Sequence, residues 1–165
     1  VKKLCSFKKP VLILRGNMYL TGSRNKLTKK IFSSHENLFY KKTGKVRINR
    51  KNFIMFDMSF EPHMYPNAKA WLKKQFKLNK HREIKINKLL KGLDDAIIIS
   101  HAPPFGCLDK TKVGHRGSKI LLRTIKKYNP KYVFCGHIHE GEGKAKIGRT
   151  EVYNLGVCGY KIVEI

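Results

Sequence analysis

Four runs of the chain are continuously apolar and too short for helices: residues 11–14 (Val-Leu-Ile-Leu), 53–56 (Phe-Ile-Met-Phe), 96–99 (Ala-Ile-Ile-Ile) and 132–135 (Tyr-Val-Phe-Cys). Runs of β-branched and aromatic residues without polar alternation mark strands covered on both faces, as in a parallel sheet. Residues 68–77 and 82–93 instead carry apolar side chains at three- and four-residue spacing and predict two amphipathic helices, the second closed by Gly92. Trp71, Leu72 and Phe76 are the expected anchors of the first. Residues 119–128 predict a further helix with Ile120, Leu121, Ile125 and Tyr128 inward and Ser118 as cap. Strands alternating with helices predict an α/β fold.

The remaining stretches are less periodic. Residues 1–7 read as the last turns of a helix, and residues 21–52, rich in Lys, Ser and Asn, as irregular surface structure with a turn at Thr43-Gly44 and one short helix. Residues 141–148 read as a Gly- and Lys-rich turn leading to a hairpin-like pair of strands, residues 154–157 as a turn, and residues 161–165 as a half-exposed terminal strand. A strand covered on both faces needs neighbours on each side, yet run 11–14 comes first. The chain is therefore expected to begin inside a larger folding unit, with that run as an apolar edge for a complementing chain or a second copy to cover.

With 165 residues, 41% of them hydrophobic, the chain suits one globular domain. No apolar run approaches the roughly 20 residues that span a bilayer, which sets aside a membrane partner and leads to an expectation of a cytoplasmic protein. Four dispersed cysteines are expected to stay reduced; Cys135 beside the histidines could ligate a metal, and its place inside the apolar run favours a small core residue. The net charge of +25 implies affinity for polyanions, although a compositional bias toward Lys, Ile and Asn explains it equally well.

Chemistry concentrates where apolar runs end. Gly136 closes the run at 132–135 and releases His137 and His139; Ser100 is followed by His101, which Pro103 and Pro104 hold in a rigid turn; Gly16 and Asn17 follow the first run. Parallel strands of one sheet bring their carboxyl ends together, so Asn17, His101, His137 and His139 are expected to meet in one crevice. Imidazole and amide oxygen suit Zn, Mn or Fe, whereas Ca demands mostly carboxylates. Two adjacent ions, one for each ring of the His-x-His pair, are an alternative to a single ion. His115, Arg116 and Gly117 stand at the start of the helix at 119–128, where amides could cradle a phosphate, though a Ser118 cap accounts for the serine equally well. Asp57, Glu61 and His63 read as a polar loop leaving a strand, and His35 as a solvated residue.

In order, Gly16-Asn17-Met18-Tyr19, Ser100-His101-Ala102-Pro103-Pro104 and Gly136-His137-Ile138-His139 resemble the motifs of the calcineurin-like metallophosphoesterases. That family has Gly-Asn-His-Asp/Glu, then a strand-terminal His, then Gly-His-x-His. The His115-Arg116-Gly117-Ser118 loop and the Asn154-Leu155-Gly156 turn are also similar, so the likeness runs from about Lys9 to the end. It implies a layered α/β sandwich, with residues 1–165 forming a single domain that is partial at its N-terminus. It also implies a metal-dependent hydrolase of phosphomonoesters or phosphodiesters, nucleotides and nucleic acids included, with two divalent ions (Mn, Fe or Zn). Asn17, His101 and His137 would hold one ion and His139 the other.

Two departures qualify the likeness. The family's Asp-x-His and Gly-Asp-x-x-Asp segments do not occur in this sequence, so every implied ligand is neutral and the second site is incomplete. Uncompensated dications are costly, and this chain alone is expected to be weak or inactive. Met18 also stands where the family has the histidine that assists the leaving group, and Tyr19 where it has that histidine's acidic partner. A thioether donates no proton, so no catalytic residue is assigned. The alternatives are a catalytically silent member that binds nucleic acid or other polyanions, and a protein with a structural single-metal site.

Overall fold

The computed structural model describes residues 6, 8–14, 30–41, 43–57, 61, 64, 70–157 and 159–164, with side chains of the long helix from Asn79 onward. Strands β3 (Thr43–Ile48), β4 (Lys51–Phe56), β5 (Ile97–Ser100), β8 (Tyr132–Cys135), β9 (Gly143–Ile147) and β10 (Thr150–Asn154) form one six-stranded sheet in the order β3-β4-β5-β8-β10-β9. The four central strands are parallel, and β3 and β9 run antiparallel at its edges.

Alternation in the central strands sends Ile54, Phe56, Ile98, Val133, Cys135 and Val152 to a common core. That core is shared with Ile86 and Leu90 of α1 (Ala70–Leu90) and with Ile120, Leu121 and Ile125 of α2 (Lys119–Tyr128). Each fully buried side chain contributes about 1.5–3 kcal/mol. Arg123 of α2 reaches Glu83 of α1 with two donated hydrogen bonds of 2.9 and 2.7 Å. Both exposed edges are basic: Lys45 and Arg47 project from β3, Lys144 and Lys146 from β9. Like charges on the rims oppose edge-to-edge pairing, a structural use for part of the positive charge.

The α/β class and most element positions agree with the sequence expectations; α2 spans 119–128 and is capped by Ser118, whose Oγ accepts from the Leu121 amide. Several details differ. β1 (Val11–Leu14) lies outside the six-stranded sheet, pairing in parallel with β2 (Leu38–Lys41), and its four residues are half-buried. The supposedly irregular stretch 21–52 supplies β2, β3 and the start of β4. Its hairpin turns at Asn49-Arg50, whose φ values of 47° and 64° match a tight turn with two left-handed residues. Arg in the place usually taken by Gly hides that turn.

The two helices expected between 68 and 93 are one helix, because no Gly or Pro separates them. Residues 161–164 form no strand and are largely exposed, since β9 already occupies the edge beside β10. Trp71, Leu72 and Phe76 lie outside the described side chains, and of residues 1–7 the structure describes Ser6. Two short strands, β6 (Lys110–Thr111) and β7 (Gly114–His115), form a separate hairpin after β5.

Candidate metal centre at the carboxyl ends of the parallel strands

β5 and β8 are adjacent and parallel, with Ile99 opposite Phe134, so the residues that follow leave the sheet side by side. Backbone bonds hold them there. The His101 amide donates to Phe56 O at 3.3 Å, and the Gly136 amide donates to His101 O at 3.1 Å. The Ile138 amide then donates to Gly136 O at 2.9 Å while His137 adopts φ 71°. That is a γ-turn with a left-handed residue at its centre, a conformation costing about 1–3 kcal/mol for a side chain other than glycine. With this turn in place, the His101 and His137 rings lie with centroids 4.6 Å apart at 49°.

Burial, and then the nearby His137 charge, lowers the His101 pKa to about 4. His137 is lowered in the same way by burial and then by the charge of His139. Both rings are therefore neutral at neutral pH, the form that ligates metals. His139 is exposed and opens a single 3₁₀ turn, His139–Gly141. Asn17, Met18 and Tyr19 lie outside the described residues. Among the described residues no three His, Cys, Asp or Glu side chains form a metal-holding group. The imidazole pair thus fits the nitrogen half of a Zn, Mn or Fe site.

A cleft of about 210 Å³ opens beside His101, lined by Leu14, Phe134 and Leu155 among others. The carboxyl end of β1 therefore reaches the same crevice from its own sheet. Cys135 is a core residue as expected: burial pushes its thiol pKa up, and Sγ donates to Tyr153 O at 3.3 Å.

One buried amide ties the surrounding loops together. Asn154 Nδ2 donates to Leu108 O at 2.9 Å and to Ile138 O at 2.7 Å, while Oδ1 accepts from the Gly156 amide at 3.1 Å. Gly141 is required by this packing, since a Cβ there would lie 2.0 Å from Leu108 O.

The start of α2 is arranged differently. The Gly117 amide donates to Asp109 Oδ2 at 2.7 Å, His115 Nδ1 meets Asp109 Oδ1 at 2.6 Å, and Arg116 Nη1 donates to Met64 O at 2.8 Å. Glu61 accepts from Ser118 Oγ and from the Lys119 and Ile120 amides. The helix has no acid in its own first turn, and Glu61 supplies the negative charge its dipole favours. At the expected phosphate cradle of His115, Arg116 and Gly117, the protein's own groups are already the acceptors: the Asp109 carboxylate for His115 and Gly117, and backbone carbonyls for Arg116. The polar-loop reading of residues 57–63 becomes specific at Glu61; Asp57 is buried, and His63 lies outside the described residues.

Asp109, Glu61 and the loop-tying role of Asn154 were not legible in the sequence. A hairpin reading of residues 110–115 would have brought Asp109 toward His115. Nothing local links Glu61 to Ser118, which are 57 positions apart.

Comparison with known proteins gives the arrangement its context. A family model described as "Metallophosphoesterase, calcineurin superfamily" matches residues 19–162. The human Metallophosphoesterase domain-containing protein 1 is 27% identical over 159 residues, 88% of this chain and 44% of that protein. An uncharacterised protein of Methanocaldococcus jannaschii is 40% identical over 86 residues, 48% of this chain and 39% of that one. The chain thus matches less than half the length of either relative. The crystal structure of TT1561 of Thermus thermophilus shares the fold with a TM-score of 0.56 at 13% identity, covering 89% of this chain and 63% of that one. A second solved structure has a TM-score of 0.64 at 20% identity, covering 94% and 60% respectively. With the family match spanning most of the sequence, this chain belongs to the calcineurin superfamily of metallophosphoesterases.

Proposed function

We propose that the chain forms part of a divalent-metal-dependent hydrolase of phosphomonoesters or phosphodiesters. The observation that carries this reading is the pair of neutral imidazoles, His101 and His137, 4.6 Å apart at the ends of adjacent parallel strands. In it, His101 and His137 act with Asn17 on one ion and His139 on a second, with Mn, Fe or Zn as the candidates. Ions bound there supply Lewis-acid polarisation of the phosphoryl oxygens and a more acidic water. The chain's own residues do the rest: burial keeps both rings unprotonated, the γ-turn fixes the His137 ring, and Leu14, Phe134 and Leu155 make part of the cleft wall apolar.

Because Asp-x-His and Gly-Asp-x-x-Asp are absent from this sequence, full activity is expected to need carboxylates from a complementing chain or segment. The net charge of +25 supports nucleotides or nucleic acids as substrates, and the free thiols of Cys107 and Cys135 suit a reducing cytoplasm. The test is turnover of bis-p-nitrophenyl phosphate with added Mn²⁺, alone and with the N-terminal segment of the archaeal relative. Weak turnover that rises on complementation is expected; none in either mixture overturns the reading.

The basic sheet edges favour a second reading, a catalytically silent polyanion binder. Its mark is salt-dependent binding of single-stranded DNA that survives His101→Ala and His137→Ala, without hydrolysis.

A further inference from the structure

The leaving oxygen of a phosphoester needs a proton when it departs as an alkoxide, and Met18 cannot provide one. We infer that His115, oriented by buried Asp109, is the proton donor to the leaving group; this rests on the phosphoesterase reading above. Asp109 is fully buried while the His115 side chain is 45% exposed, and the two meet at 2.6 Å through Oδ1 and Nδ1. A carboxylate only accepts, so the hydrogen sits on Nδ1 and Nε2 is the nitrogen left for proton exchange. The second Asp109 oxygen takes the Gly117 amide at 2.7 Å, which fixes the carboxylate plane. This is the geometry of an imidazole with an orienting acid.

The pair is tied through neighbouring segments to the loops that carry the imidazoles of the candidate metal centre. Asp109 follows Leu108, whose carbonyl shares the Asn154 amide with Ile138, the residue between His137 and His139. Strand β6, paired with His115 through Lys110, lies against the turn that begins at His139. On the other side, the Phe105 ring is 5.5 Å from that of His115, and Phe105 belongs to the loop that starts at His101. Among the described residues His115 meets Asp109 and the Phe105 ring and is paired across the strands with Lys110, while Lys119 Nζ lies 4.9 Å over the Phe105 ring. The Arg116 guanidinium donates through Nη1 to Met64 O.

In the step assigned to it, water oxygen bonds to phosphorus and the bond from phosphorus to the ester oxygen breaks. A proton that Nε2 has taken up from solvent passes to that oxygen, releasing the alcohol. The proton lost by water replaces the one given up at Nε2, so water is the co-reactant and no other is needed.

Leaving-group chemistry tests this. Two diesters with the same phosphoryl part, one releasing p-nitrophenolate and one an alkyl alcohol, are hydrolysed by the full chain with Mn²⁺ and its complementing segment. In His115→Ala and His115→Gln the ratio of p-nitrophenyl to alkyl turnover is expected to rise about 10²–10⁴-fold. Asp109→Asn should raise it less and move the pH–rate profile, with loss of the Nδ1–H signal of His115 in nitrogen NMR. Equal loss on both esters with a lower Tm would make the pair structural and overturn the assignment, as would an unchanged ratio. If the unsubstituted protein cleaves neither ester, the phosphoesterase reading itself fails, a result distinct from a changed or unchanged ratio.

Discussion

The ends of β5 and β8 and the start of α2 are neighbouring loop clusters with opposite electrostatics. At the first, two nitrogen donors are kept neutral, and no three His, Cys, Asp or Glu side chains among the described residues form a metal-holding group. At the second, the amides of residues 116–120 already have acceptors: Glu61, Asp109 or a carbonyl. Both clusters looked like ligand sites in sequence. A glycine-serine helix start shows where donors gather but not who accepts from them; that depends on an acid far along the chain.

The contrast is sharpest under mutation. His101→Ala or His137→Ala should weaken Mn²⁺ or Zn²⁺ binding by at least about 100-fold, more than the loss of an outer-sphere partner usually brings. Calorimetric titration that finds equal affinity in these variants would remove the first half of the contrast. Glu61→Ala should destabilise the fold by about 2–3 kcal/mol in urea melts, since three donors lose a buried charged acceptor. A neutral result would mean that water or an external anion replaces the carboxylate at no cost. Ser118→Ala removes the cap bond to Leu121 and should cost about 1 kcal/mol.

The shallowest effect is with pH. The folded pKa of His101, about 4, lies below the value of 6.5 it has when unperturbed, so the unfolded chain takes up this proton first. Its contribution to stability is full above pH 6.5 and falls as pH drops toward 4. His137 acts in the same direction. Urea midpoints should fall more steeply below pH 6.5 in the parent than in His101→Gln, which keeps the slope from His137; parallel slopes would count against the buried, neutral ring.

Much of this was legible, for identifiable reasons. The strand at 132–135 and the helix at 119–128 have local signals at both ends, Asn129-Pro130 and Gly136 for one and Ser118 and Asn129 for the other. The histidines at strand ends were legible because parallel pairing makes their meeting nearly automatic. Strand β3 was hidden by an Arg in a left-handed turn position, and β1 by a run of apolar residues that says a strand is covered without saying by which sheet. Asp109 and Glu61 escaped because their partners are set by tertiary placement.

Asn154 has a dynamic consequence. Its side chain joins the loop after Leu108, the histidine loop at Ile138 and the turn at Gly156. These three segments should open and close as one unit, so their amides should exchange hydrogen with solvent at a common rate. Slow breathing at Asn154 would then set the tempo for the whole crevice, including the histidines on either side of Ile138.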